Sequence, residues 1–174
     1  GLTVLTGASG AGKSTVLAAL VGLLRSERGV DVSGDVRVPP RVAFAAQRPV
    51  TLAPTVGEEI ALRLPDDLRT APEDSPARSA AVAACLRFAC LPVDVNMPCI
   101  ALSPGQQRRL SLARARASVM AGAGLVLLDE PTAHLDTATA ADVRSRIADL
   151  AQEVPVVAAT HDGALVGVAD RRAH

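Results

Sequence analysis

Short apolar runs alternate with glycine- and proline-rich segments along the chain. Residues 2–6 are apolar and β-branched and stop at a glycine-rich stretch, after which residues 16–24 have the pattern of a buried helix. Residues 125–128 and 156–159 are wholly apolar, which is typical of strands buried on both faces of a parallel sheet. This order of elements predicts an α/β fold with a parallel sheet.

Capping residues indicate where two further helices begin. Ser103 is followed by Pro104 and then by Gln106, which is the sequence of a capping box with proline at the first helical position. This helix is expected to run to about residue 120. Asp136 can cap a helix over residues 137–152, whose apolar side chains at i, i+4 and i+7 share one face.

Prolines set the middle of the chain apart. Two of them separate short extended segments at residues 36–38 and 42–45, which indicates a small β-hairpin or the edge of a sheet. Further prolines bracket an alanine-rich helical segment over residues 77–91. We expect a single domain, with a core formed by residues 1–48 and 121–174 and a helical subdomain at about residues 49–120.

Composition and charge exclude several classes of protein. A chain of 174 residues with 49% apolar and 21% charged residues has the make-up of one folded globular domain. Lysine plus arginine balances aspartate plus glutamate at 18 each, so the net charge gives no reason to expect nucleic acid as a partner. No segment approaches the run of about 20 apolar residues that a membrane span needs.

The cysteines and the chain ends suggest the context of the protein. Cys85, Cys90 and Cys99 form no C-x-x-C pair and lie among apolar residues, so we expect small core side chains in a reducing, cytoplasmic setting. The chain starts inside an apolar run and stops on a charged segment. We therefore expect it to be truncated at both ends relative to a longer polypeptide.

The glycine-rich stretch matches the pattern G-x-x-x-x-G-K-[ST] between a predicted strand and a predicted helix. Glycines let successive backbone N–H groups turn toward an anion, and the start of the helix adds positive partial charge. Lys13, the only lysine in the sequence, can reach β- and γ-phosphates, and the Ser14 hydroxyl can ligate Mg²⁺. The matching residues are Gly7, Ala8, Ser9, Gly10, Ala11, Gly12, Lys13 and Ser14.

Two carboxylates follow the buried strand at residues 125–128, at the strand end where open α/β sheets bind ligands. Asp129 is suited to hold Mg²⁺ through water, and Glu130 is suited to orient or deprotonate an attacking water. An Asp-Glu-Pro turn that starts a helix is the alternative for this pair. Gln47 and His161 are weak signals when each is taken alone.

Taken in order, these elements resemble the ATP-binding cassette (ABC) ATPase domain over nearly the whole chain. Six motifs carry the resemblance: residues 7–15, which end at Thr15, as the Walker A loop; Gln47 as the Q-loop glutamine; residues 102–106 as the signature; residues 125–130 as Walker B; residues 133–136 as the D-loop; and His161 as the switch histidine.

The resemblance implies a P-loop NTPase that hydrolyses MgATP as a head-to-tail dimer, with each ATP between the Walker A loop of one domain and the signature of the other. It assigns Glu130 as general base, His161 as γ-phosphate sensor, and Ser14, Gln47 and Asp129 to Mg²⁺ and its water. Toward the partner domain it assigns Ser103, Gly105 and Gln106 to the nucleotide and Asp136 to communication across the dimer.

The sequence of residues 129–136 is most similar to that of exporter-type cassettes. The segment T-A-H-L-D within it resembles the corresponding segment of the cysteine/glutathione exporters of cytochrome bd assembly. This implies export powered from the cytoplasmic face of the plasma membrane. The transmembrane domain would belong to the same polypeptide or to a partner subunit.

Other functions stay open. A chromosome-maintenance ATPase would carry a long coiled coil between Gln47 and Ser103, whereas residues 48–102 are too few and too rich in proline. A soluble tandem cassette is compatible with the sequence. So is a regulatory half-site that binds ATP with little hydrolysis, because Pro104 replaces the glycine usual in the family and removes an N–H donor from the signature.

Overall fold

A parallel β-sheet forms the centre of the computed structural model, which describes residues 1–8, 10–23, 36–47 and 49–173. The strands are β1 (Leu2–Leu5), β2 (Val42–Ala45), β3 (Leu125–Asp129), β4 (Val156–Ala159) and β5 (Arg171–Ala173). Within the described ranges they lie in the order β2-β3-β4-β1-β5, and every neighbouring pair is parallel. The predicted α/β fold with a parallel sheet is confirmed.

Helices connect the strands and cover the sheet. They are α1 (Lys13–Leu20), α2 (Val56–Ala61), α3 (Asp66–Arg69), α4 (Pro76–Phe88), a short 3₁₀ helix (Cys99–Ala101), α5 (Pro104–Met120), α6 (Thr137–Glu153) and α7 (Gly163–Gly167). None of the helices in the part of the chain that the structure describes is long and apolar enough to span a bilayer.

Both faces of β3 are buried, and its successive side chains point to opposite sides of the sheet. On one face, Leu125 and Leu127 pack with Leu17 of α1. On the other face, Val126 and Leu128 join the larger core cluster, to which α2, α4, α5 and α6 also contribute. All five residues of β3 are buried, as expected of a central parallel strand.

Two predictions about the first half of the chain were wrong in detail. The helix expected over residues 16–24 starts earlier, at Lys13, and only Leu17 is fully buried in it, whereas Val16 is 49% exposed. The helix start is set by the glycine-rich loop rather than by an apolar face. Residues 36–38 form no strand, and β2 pairs in parallel with β3 at the edge of the sheet, so the edge is confirmed and the hairpin is not.

The cysteines pack as predicted. Cys85 and Cys99 lie in the core cluster, Cys90 packs against it partly buried, and all three are free thiols. Burial raises the pKa of the Cys85 thiol to about 11.

Candidate functional site

Three neighbouring strands end at the same edge of the sheet, and the loop that follows each carries candidate functional residues. In the strand order, β4 lies between β3 and β1. The glycine-rich loop follows β1, Glu130 follows β3, and His161 lies two residues after β4. Parallel pairing therefore brings segments that are far apart in sequence to one place, as expected for ligand sites in open α/β sheets.

The glycine-rich loop leads into α1 through backbone that favours glycine. Gly10 and Gly12 have φ of 81° and 88°, and Gly12 occupies the N-cap position of α1. No side chain in the described residues caps this helix, so N–H groups of its first turn keep no internal partner. Such a helix start attracts anions. Ser9 lies outside the described residues.

Lys13 turns its side chain back over the loop. Its Nζ lies 3.0 Å from the Gly7 carbonyl oxygen and 3.2 Å from that of Ala8, and it lies 3.1 Å from Nε2 of His161. Because an ammonium group only donates hydrogen bonds, Nε2 is the acceptor in this arrangement and the ring proton belongs on Nδ1. The lysine thus joins the loop after β1 to the loop after β4.

Glu130 is held from the β4 side. Its Oε2 accepts hydrogen bonds from the Thr160 hydroxyl and from the His161 backbone N–H, both at 3.3 Å, and its Oε1 lies 3.6 Å from His161 Nε2. Its φ of 51° is rare for a residue other than glycine, and such strain is found mostly where the surrounding structure enforces it. The carboxylate is fixed at the pocket rather than free to rotate.

These residues line an open pocket of about 510 Å³. Asp129, at the end of β3, is 7% exposed and is not among the residues that line it. The lining residues are Gly10, Gly12, Lys13, Ser14, Thr15, Gln47, Glu130, Ala133 and His161.

The start of α5 is built as predicted, but it lies outside this pocket. The Ser103 hydroxyl accepts from the Gln106 N–H at 3.3 Å, and the Gln106 side chain accepts from the Ser103 N–H at 2.9 Å, so the capping box is confirmed with Pro104 in the first turn. A Cβ atom added at Gly105 would lie 3.3 Å from the His134 carbonyl oxygen, so this glycine packs closely against the backbone there.

Asp136 also acts as a helix cap. Its carboxylate accepts from the N–H and the hydroxyl of Thr139 at 2.9 and 2.7 Å, and these two hydrogen bonds lower the pKa of Asp136. Neither Asp136 nor the Ser103 segment lines the pocket of the same chain.

Sequence reasoning did not identify two sets of contacts beside the pocket. Arg108 donates to the Glu130 carbonyl at 3.1 Å, which ties the start of α5 to the backbone of that glutamate. Asp162, next to His161, bonds Thr132 and Arg144. The only local signal for Asp162 was its position next to His161 in the sequence. Nothing in the sequence near Arg144 marks that arginine as a partner of Asp162.

Residues 1–133 of the chain match the sequence profile of the ABC transporter family. The chain is 32% identical over 170 residues to CydC of Bacillus subtilis, the ATP-binding/permease protein of a glutathione/L-cysteine transport system, with 90% of this chain and 29% of CydC covered. It is 37% identical over 185 residues to an uncharacterised ABC transporter ATP-binding protein of Mycobacterium bovis, with 98% and 54% covered.

Among solved structures, the chain is similar to an ATP-binding cassette dimer in a post-hydrolysis state bound to ADP and Pi. The TM-score is 0.73 at 24% sequence identity, with 98% of this chain and 78% of that one covered. The chain spans about a third of CydC and about half of the mycobacterial relative.

Proposed function

Because the chain belongs to the ABC transporter family, we propose that it binds and hydrolyses ATP to power a transporter. It has the α/β fold of an ATP-binding cassette. The observation that carries the proposal is that Lys13, Glu130 and His161 meet at one pocket, at the uncapped start of α1. A lysine and free N–H groups suit phosphates, and a carboxylate beside them suits activation of water.

Phosphate binding is the proposed role of the loop and of Lys13. In the structure the ammonium group is hydrogen-bonded to two neutral carbonyls, of Gly7 and Ala8. Phosphate oxygens would give it ionised acceptors, and such charge-assisted bonds are roughly twice as strong as neutral ones. The first-turn N–H groups of α1, at Ser14 and Thr15, would receive the remaining phosphate oxygens.

Glu130 is the proposed general base, and His161 the group that contacts the γ-phosphate. Thr160 and the His161 N–H hold Oε2, which leaves Oε1 directed toward the histidine ring. A base held in this way accepts a proton from a water in a defined direction, which is what in-line attack on a phosphate requires.

Mg²⁺ is the proposed metal. The Ser14 hydroxyl, the Gln47 amide and the Asp129 carboxylate offer oxygen atoms, the ligand type that Mg²⁺ prefers, and a site of one or two carboxylates completed by phosphate and water is usual for this ion. Ser14 and Gln47 line the pocket and Asp129 is buried at the end of β3. The ion would neutralise charge on the β- and γ-phosphates.

A second cassette is the proposed partner. The pocket of this chain is not lined by Ser103, Gly105, Gln106 or Asp136. These residues could contact the nucleotide of a partner domain if the two domains pair head to tail. We further propose that residues 49–120 form a helical subdomain, from which α5 would present the signature to the partner.

We further propose an exporter at the cytoplasmic face of the plasma membrane, with the transmembrane domain in the same polypeptide or in a partner subunit. The sequence of residues 129–136 and the similarity of the chain to CydC favour a cysteine or glutathione exporter. A regulatory half-site is the second candidate, since Pro104 occupies the first turn of α5 and offers no N–H to a partner's phosphate.

The proposal is tested by Glu130→Gln, which should bind ATP without hydrolysing it. We expect MgATP to convert this variant from monomer to dimer in size exclusion with light scattering and refractive-index detection, since the chain contains neither tryptophan nor tyrosine. Lys13→Ala in the same background should abolish the shift. Glu73→Gln, a change at an exposed glutamate in the helical region, is the control.

Failure of a folded Glu130→Gln sample to bind ATP would refute the proposed activity. Binding without dimerisation would refute pairing of identical chains and would favour a heterodimer with unequal sites.

A further inference from the structure

A single carboxylate, Asp162, gathers contacts from three parts of the fold beside the proposed catalytic groups. Its Oδ2 accepts hydrogen bonds from the Thr132 hydroxyl at 2.8 Å and from Arg144 Nη1 of α6 at 2.9 Å. Its Oδ1 accepts from the N–H groups of Ala164 and Leu165 at 2.9 and 3.3 Å, which caps α7. Both oxygens therefore bind two donors each.

These hydrogen bonds are part of a closed ring of contacts that includes Glu130. Thr132 belongs to the turn that follows the glutamate, and it is fixed to Asp162. In the opposite direction the Asp162 N–H donates to the Thr160 hydroxyl at 3.0 Å, and that hydroxyl donates to the Glu130 carboxylate. His161, which lies between Thr160 and Asp162 in the chain, is held at both ends by the same ring.

The ion pair with Arg144 is sheltered. The side chains of Arg144 and Asp162 are 22% and 16% exposed, whereas the next arginine on α6, Arg146, is 53% exposed and lies 4.0 Å from Asp149. Burial by itself raises the pKa of Asp162, but the hydrogen bonds from Arg144, Thr132 and the start of α7 outweigh it and lower the pKa. The carboxylate is therefore ionised at neutral pH.

We propose that Asp162, held by Arg144, is a positioning residue that sets the distance between the His161 ring and the Glu130 carboxylate. This inference rests on the proposed ATPase function. Asp162 does not line the pocket, so it acts on ATP only through the two residues that do. Small displacements of catalytic groups, of about 1 Å, can cost a factor of about 100 in rate.

The test compares Asp162→Asn and Arg144→Gln with the unsubstituted chain. Asparagine can still cap α7 but loses the charge that holds the guanidinium, and Arg144→Gln removes the same pair from the other side. We expect kcat for ATP hydrolysis to fall by about 10–100-fold in both variants, while KM for ATP stays within about threefold. Arg144→Lys, which keeps the charge, should recover part of the loss. Arg146→Gln, a matched arginine change on the same helix, should leave kcat unchanged.

A second measurement does not depend on hydrolysis. The chain has three histidines, so the ring signals of His161 in a ¹³C-labelled sample can be assigned with His161→Ala. We expect the His161 ring signals to move in both Asp162→Asn and Arg144→Gln and to stay in place in Arg146→Gln.

Unchanged His161 signals in both variants would overturn the inference, whatever happens to the rate. An equal movement in Arg146→Gln would also overturn it, because that result would indicate general loosening of α6. If the unsubstituted chain hydrolyses no ATP while the signals move as expected, the proposed function fails and the positioning role stands.

Discussion

Glu59 of α2 is fully buried as a carboxylate, and replacing it with glutamine should be among the most destabilising single changes in the chain. Its Oε1 lies 3.2 Å from Nε of Arg114 on α5, whose side chain is only 16% exposed. Its Oε2 accepts the backbone N–H groups of Leu52 and Ala53 at 2.7 and 2.8 Å. Arg114 also donates to the Val50 carbonyl at 2.9 Å.

The magnitude follows from what each substitution leaves behind. Glu59→Gln keeps one oxygen for the two N–H groups but turns an amide donor toward Arg114, so the guanidinium stays buried without its counter-charge. Breaking a buried pair from one side costs about 3–5 kcal/mol, and we expect the lower end, about 3 kcal/mol. Glu59→Ala also strands two N–H groups at about 1–3 kcal/mol each, so we expect a total of about 5 kcal/mol or more.

Urea unfolding followed by far-ultraviolet circular dichroism measures these losses, because the chain lacks the fluorophores usually used. Glu153→Gln is the matched control. Glu153 pairs with Arg116 but is 51% exposed, so its loss should cost about 0–1 kcal/mol. A cost below about 1 kcal/mol for Glu59→Gln would show that Arg114 finds water or another partner, and would refute the account of this pair.

Three further predictions concern the site and the thiols. Arg108→Ala should lower kcat for ATP hydrolysis by roughly tenfold, because the guanidinium holds the Glu130 carbonyl in place. Arg108→Lys should lose less. An unchanged kcat in Arg108→Ala would refute that role. Pro104→Gly should raise turnover of the partner's ATP by roughly tenfold by restoring an N–H donor, at about 1 kcal/mol of stability; unchanged turnover would remove the argument for unequal sites. Mass spectrometry after iodoacetamide treatment at pH 8 should find Cys90 modified well before Cys85. Cys85 is fully buried and burial raises the pKa of its thiol to about 11, so early modification at pH 8 would contradict its burial.

Local chemistry explains why much of the fold could be predicted from the sequence. Helix caps are local features of the sequence, so the capping box of Ser103 and Gln106 and the cap residue Asp136 predicted the starts of α5 and α6. Fully apolar runs of four residues identified β3 and β4, because a strand that is buried on both faces has no position for a polar side chain.

The remaining features depend on contacts that no local pattern records. The start of α1 was misplaced because Lys13, Ser14 and Thr15 are polar and helical at once, the helix being positioned by Gly12 rather than by a buried stripe. The bond between Arg144 and Asp162 joins α6 to the loop after β4, and an arginine on a helix surface gives no sign of its distant partner. The roles of the pocket residues in catalysis stay predictions.

The position of β1 in the sheet has a consequence for how the molecule is made. β1 is translated before both of the strands with which it pairs in the described part of the chain, β4 and β5, and residues 6–155 separate it from β4. At about 5–20 residues per second, synthesis takes roughly 10–30 s to supply those neighbours. The loop that follows β1 therefore cannot be held in its final place until residues 156–173 have been translated, and we expect ATP to bind only after that point.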